Sequence, residues 1–91
     1  MQTTRLYIAN LPYSATDDML RHIFEQVGVV RSATIVKDRE TGWSRGFGFV
    51  EMESGQAAAE AIAHFNGDTY EGRVVRVEPS TAFPQRQSNQ N

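Results

Sequence analysis

Arg45-Gly46-Phe47-Gly48-Phe49-Val50-Glu51-Met52 decides the fold, because it reads as a strand whose two faces differ sharply in chemistry. Strand side chains alternate with a period of two, so Arg45, Phe47, Phe49 and Glu51 share one face while Gly46, Gly48, Val50 and Met52 share the other. Turning the phenylalanine face inward would carry Arg45 and Glu51 with it, and a buried unpaired charge costs on the order of several kcal/mol. The face of glycine, valine and methionine therefore packs on the core, and two aromatic rings stand on an open sheet surface beside an arginine. The same pattern implies that the inward glycines let a helix approach the strand closely.

The segment Arg5-Leu6-Tyr7-Ile8-Ala9-Asn10-Leu11 follows the same rule, with Leu6 and Ile8 on one parity and Arg5, Tyr7 and Ala9 on the other. Tyr7 thus joins Phe47 and Phe49 on the charged side. Three aromatics flanked by arginines on solvent-facing strands suit flat π-systems, and single-stranded nucleic acid offers such groups in succession.

The 91 residues, 40% of them hydrophobic, make one small domain. Without cysteine and with two histidines, the chain has no disulfide framework, no cysteine-rich zinc site and no thiol nucleophile. His22 and His64 fall on helix faces near acidic residues and read as solvated; no metal or acid–base constellation appears, and no cofactor is expected. No apolar run approaches membrane-spanning length, and the first strand begins within a few residues of Met1. The expectation is a soluble, monomeric, cytoplasmic protein without membrane contact, the nucleus or an organelle being the other compartments.

A net charge of −2 argues against a polyanionic partner if taken globally. Position matters more than the sum. Arg5, Arg31, Lys37, Arg39, Arg45, Arg73 and Arg76 fall on strand segments and their loop against Asp38, Glu40, Glu51 and Glu78, whereas Asp17, Asp18, Glu25, Glu53 and Glu60 fall on or beside two helices against Arg21. All but one of the nine cations are arginine, which stacks and bonds in a plane as well as pairing with phosphate.

The element order is strand, helix, strand, strand, helix, strand. Thr16 is a candidate N-cap with Asp17 and Asp18 in the first turn; Leu20, Ile23, Phe24 and Val27 give a core-facing stripe, and Gly28 a stop. Val29 to Lys37 reads as a strand with Ala33 and Ile35 inward, and Asp38 to Ser44 as a hairpin loop. Ser54 caps a second helix with the stripe Ala58, Ala61, Ile62 and Phe65, ended by Asn66-Gly67. Thr69-Tyr70 and Gly72 suggest a short ribbon before a strand over Arg73 to Glu78, with Val75 and Val77 inward. Such a βαββαβ order predicts an α+β, ferredoxin-like sandwich, a four-stranded antiparallel sheet of order 4-1-3-2 with both helices on one face, which brings Tyr7 beside Phe47 and Phe49. The domain spans 4–79, and 80–91 is a polar tail.

From Thr4 to Pro79 the chain resembles an RNA recognition motif domain. Leu6-Tyr7-Ile8-Ala9-Asn10-Leu11 is similar to the family's six-residue ribonucleoprotein motif, and Arg45 to Met52 to its eight-residue partner. It resembles in particular the small single-domain members of bacteria, organelles and plant glycine-rich proteins. The resemblance implies that Tyr7 and Phe49 stack bases, Phe47 packs against sugars and Arg45 pairs with phosphate. Lys37 and Arg39 are candidate backbone contacts, and preference among bases would come from Arg76, the backbone from Glu78 to Ser80, and the loops. Trp43 stands where small or basic residues are common; packing of its loop onto the hairpin stem is the favoured role, capping of an extra base the other. Met52 replaces an aromatic, but on the inward parity. Thr34 replaces a common basic residue and removes one backbone contact, and the tail with Phe83 and Arg86 lacks glycine repeats and reads as disordered.

The implied function is non-catalytic binding of single-stranded RNA, in post-transcriptional regulation or RNA chaperoning, with single-stranded DNA a related ligand. A protein-interaction module using the sheet or the acidic helix face is the alternative. An acylphosphatase-like enzyme on this fold would need an arginine-bearing anion cradle after the first strand, and Asn10 to Asp18 contains neither arginine nor glycine.

Overall fold

The computed structural model describes residues 3–80, so Phe83, Arg86 and the rest of the tail beyond Ser80 lie outside the described residues. The elements are β1 (Arg5–Ala9), α1 (Asp17–Phe24), β2 (Val30–Lys37), β3 (Ser44–Met52), α2 (Gly55–Phe65), β4 (Thr69–Tyr70), β5 (Arg73–Val74) and β6 (Arg76–Pro79). Strands β2, β3, β1 and β6 form an antiparallel sheet in that order, the anticipated 4-1-3-2 arrangement read from its other edge. Leu20, Phe24, Ala58, Ala61 and Phe65 from the helices share one core with Leu6, Ile8, Val50, Met52 and Val77 from the sheet. The Phe24 and Phe65 rings meet at 4.9 Å between centroids, joining the two helices over that face.

Both predicted caps form: the Thr16 hydroxyl accepts the Met19 N–H at 3.1 Å and the Ser54 hydroxyl the Ala57 N–H at 3.1 Å. The first helix is shorter than its stripe suggests. It closes at Phe24, and the N–H groups of Gln26 and Val27 turn back to the carbonyls of Ile23 and Phe24, so Ile23 and Val27 pack at the rim of the core. Gly28 is therefore not the stop. Its lack of a side chain serves contact with α2, since a Cβ there would lie 3.0 Å from that of Ala57.

In β2 the inward residues Val30 and Ile35 are five apart, an odd spacing made possible by register irregularities between Val30 and Ser32 and between Ile35 and Lys37. Val29 lies outside the strand and is exposed, and Ala33 is only half-buried. The predicted strand over Arg73 to Glu78 is divided. Val75 leaves the ladder because its N–H donates to the Asp68 carbonyl at 2.8 Å and its own carbonyl accepts the Gly67 N–H at 2.9 Å. The residues before it pair with Thr69 and Tyr70 as the ribbon, and those after it pair with β1. Ser80 is tied to the sheet, its N–H donating to Arg5 and its carbonyl accepting from the Thr3 hydroxyl.

Open sheet edges expose backbone donors that invite pairing with other chains. Here an Asp17 carboxylate oxygen accepts the Ile35 N–H of edge strand β2 at 2.7 Å, and the Asn66 amide oxygen accepts the Val77 N–H of edge strand β6 at 3.0 Å. Each edge is thereby held to a helix terminus.

The glycines of β3 face inward as anticipated, but no helix fills the space they leave. A Cβ on Gly48 would stand 2.5 Å from the Thr34 carbonyl oxygen, so it is the neighbouring strand's backbone that comes close. Gly46 has φ +84°, a left-handed conformation, and its inward side is covered by the Tyr13 ring, 3.3 Å from where a Cβ would sit. Gly48→Ala is expected to force β2 and β3 apart and destabilise by roughly 1–3 kcal/mol or more, read as a lower urea midpoint. Asn66→Ala strands the Val77 N–H and is expected to cost about 1–2 kcal/mol in the same measurement.

Candidate nucleic-acid interface

The strand registers turn the sequence-predicted residues into rows across the helix-free face. Thr34 on β2 is opposite Phe49 on β3, which is opposite Tyr7 on β1, which is opposite Glu78 on β6. One step along, Phe47, Ala9 and Arg76 form a second row, with Arg45 exposed beyond it. A third row at the opposite end joins Ser32, Glu51 and Arg5.

The rings of Tyr7, Phe47 and Phe49 form one triangular cluster. Centroids of Tyr7 and Phe47 are 5.7 Å apart, those of Tyr7 and Phe49 5.6 Å, and those of Phe47 and Phe49 6.4 Å, with tilted or edge-on planes. Each ring is half-buried rather than fully wet, because each leans on the other two. Such mutual packing limits rotamer freedom and leaves tilted π-faces toward solvent, a preorganised surface for flat heterocycles.

The charges are apportioned around this cluster. Arg5 pairs with Glu51 across the β1–β3 ladder at 3.4 Å, both side chains largely covered, which neutralises that end of the face. Arg76 is paired to Glu78 on its own strand. Arg45, Lys37 and Arg39 are exposed near the opposite end, interleaved with Asp38 and Glu40, so that end carries a small net positive charge.

Lys37, Arg39 and Trp43 come together through the β2–β3 hairpin. One Asp38 carboxylate oxygen accepts the N–H groups of Glu40 at 2.8 Å and Thr41 at 3.0 Å, Gly42 N–H donates to the Asp38 carbonyl, and Asp38 N–H donates to that of Trp43. Trp43 does not pack on the stem, as its favoured sequence reading had it: the loop closes through backbone and Asp38 bonds, and the indole is 75% exposed.

Sequence reasoning missed a second cluster at this same end. Tyr13, in the loop after β1, is 65% exposed and lies beneath the Arg73 guanidinium, 5.4 Å from carbon to ring centroid. Asn10, at φ +64°, joins the two loops, its side-chain oxygen accepting from Arg73 at 2.6 Å and its amide donating to the Val74 carbonyl at 2.8 Å. The available signal was an aromatic in a turn of small and polar residues, but its partner lies far along the chain. Elsewhere, an apolar hollow lined by Thr3, Gly55, Ala58, Ala59 and Ile62 opens beside α2, away from the rings. Among the described residues no group of three or more histidines and carboxylates could hold a metal, and no helix is long and apolar enough to cross a membrane.

The chain is similar to known proteins over most of its length. The family described as RNA recognition motif matches residues 6–76. A 28 kDa chloroplastic ribonucleoprotein of Nicotiana sylvestris is 45% identical over 84 residues, covering 92% of this chain and 30% of the relative, so the chain spans about a third of that protein's length. Among solved structures, RNA Binding Protein PG1 aligns with a TM-score of 0.86 at 38% identity, covering 91% of this chain and 100% of that one. The Rna15 domain with bound RNA (GU) aligns with a TM-score of 0.80 at 25% identity, covering 88% and 85%.

The two N–H donors to Asp38 hold its carboxyl below the ordinary value of 3.8, so the part of the loop's stability that those two bonds supply is complete above that value and lost as pH falls through the lowered one. Amide shifts of Glu40 and Thr41 should titrate together with a midpoint below 3.8, and Asp38→Ala should abolish the transition.

Proposed function

Because this chain belongs to the RNA recognition motif family, we propose that it binds single-stranded RNA, without catalysis, by laying about two to four unpaired nucleotides across its sheet. Bases stack on Tyr7 and Phe49, sugars lie against Phe47, and Arg45 meets a phosphate, with Lys37 and Arg39 as further backbone contacts. Trp43 caps an additional base. Arg76, Glu78 and the adjoining backbone discriminate among bases at the β6 edge. Post-transcriptional regulation or RNA chaperoning in the cytoplasm is the corresponding cellular role, with single-stranded DNA a competing ligand.

The observation that carries this reading is the cluster of three half-buried rings on the face opposite both helices, with an exposed arginine beside it. A ring needed only for stability would be better placed in the core. Stacking is worth about 1–3 kcal/mol per base, so two bases and a sugar contact supply roughly 3–7 kcal/mol before ordering costs. The expected affinity for a few nucleotides is micromolar, about −8 kcal/mol, so contacts beyond the rings must supply the balance.

Titration with mixed-sequence single-stranded RNA, followed by NMR, tests the assignment. Signals of Tyr7, Phe47 and Phe49 should move together, and Phe49→Ala should weaken binding by about 1–3 kcal/mol with little loss of thermal stability. Added salt should weaken binding only shallowly, since few phosphates are engaged. Unmoved ring signals would leave the sheet, or the acidic helix face, to a protein partner instead.

A further inference from the structure

Tyr13 is exposed, yet it is held in place with unusual care. The loop that carries it is tied to the β4–β5 ribbon on both sides of the ring: Asn10 binds Arg73 and Val74 before it, and the Ser14 hydroxyl donates to both Glu71 carboxylate oxygens, at 2.8 and 2.9 Å, after it. Glu71 and Gly72 both have positive φ, the tight hairpin turn that aims Arg73 back across the loop. The Leu11 N–H donates to the Gly46 carbonyl at 2.8 Å, and the ring edge rests on Gly46 itself.

These contacts set the ring's environment. Gly46 supports one edge, the Arg73 guanidinium lies over one face, and the side chain nevertheless remains 65% exposed. Gly46 lies between Arg45 and Phe47 in β3 but on the opposite parity, so the supported ring is at the Phe47 end of that strand, on the side turned toward the helices. An immobilised aromatic loses little side-chain entropy when a ligand stacks on it, and the guanidinium over one face helps to hold the ring before any ligand arrives.

We propose that Tyr13, backed by Arg73, is a fourth stacking platform, which takes the base of a nucleotide lying beyond those on the sheet at the Phe47 end. This rests on the RNA-binding reading above and extends its footprint off the sheet onto the loop after β1. Arg73 is the positioning residue: it holds the ring through its contacts to Asn10.

The test is a fluorescence-anisotropy titration with labelled random-sequence RNA pools of four and seven nucleotides, against the wild-type chain and Tyr13→Ala, Tyr13→Leu, Tyr13→Phe and Phe49→Ala. Loss of one stacked base should lower the ratio of seven-nucleotide to four-nucleotide affinity by about fivefold or more in Tyr13→Ala and Tyr13→Leu, whereas Tyr13→Phe, which keeps the π-face, retains it. Tyr13→Leu keeps apolar bulk against Gly46 and Arg73, so it carries the measurement should the alanine variant unfold. An unchanged ratio in the leucine variant overturns the proposal and makes Tyr13 a latch between loop and ribbon. Equal loss in Tyr13→Phe also overturns it, by assigning the effect to the hydroxyl. Phe49→Ala separates the two readings: if it weakens both lengths while the Tyr13 variants leave the ratio unchanged, only the loop platform fails, and if it weakens neither, the sheet reading fails first.

Discussion

The close passage of β2 against β3 at Gly48 is the constraint on which the binding face depends. With the Thr34 carbonyl oxygen 2.5 Å from where a Cβ would be, position 48 must face the core with no side chain, and every other parity in β3 follows from that one. A one-residue slip would turn Phe47, Phe49 and Glu51 inward together. Three features oppose it at once: no room for rings beneath the strand, the Arg5–Glu51 pair on the open side, and Val50 and Met52 sealed in the core. The register that keeps Phe49 between Tyr7 and Thr34 is thus over-determined, and it holds the three rings in place without burying them.

The sheet is also kept from pairing edge to edge with other chains. Asp17 and Asn66 each spend a side-chain acceptor on one outward N–H of an edge strand, Asp17 from the first turn of α1 and Asn66 from the C-terminal end of α2. Charge follows a similar division. The carboxylates near the helices lie away from the rings, while Arg45, Lys37 and Arg39 stand exposed by the hairpin end. A chain of net negative charge can in this way present a locally positive approach to a polyanion.

Much of this was legible residue by residue. The parity of Arg45 to Met52 and of Arg5 to Ala9, the caps at Thr16 and Ser54, and the sheet order are local or topological matters, and the structure bears them out. The misses have two causes. The early end of α1 and the exposure of Trp43 are set by local turn bonds that periodicity does not register, whereas the break at Val75 and the partners of the β3 glycines depend on what other segments offer: a carbonyl of Asp68, the backbone of Thr34, the ring of Tyr13. Periodicity reports which way a side chain points and is silent about which neighbour arrives there.

By itself, then, the order of residues determined the strand and helix types, the face each strand turns to the core, and the choice of Tyr7, Phe47, Phe49 and Arg45 as surface groups, because charge and alternation act within a few residues. Only the tertiary structure decided that Arg5 is paired to Glu51 and that Tyr13, Asn10 and Arg73 form one cluster at the end of the sheet. Those outcomes depend on distances between segments up to 63 residues apart, which chain folding sets and sequence spacing does not.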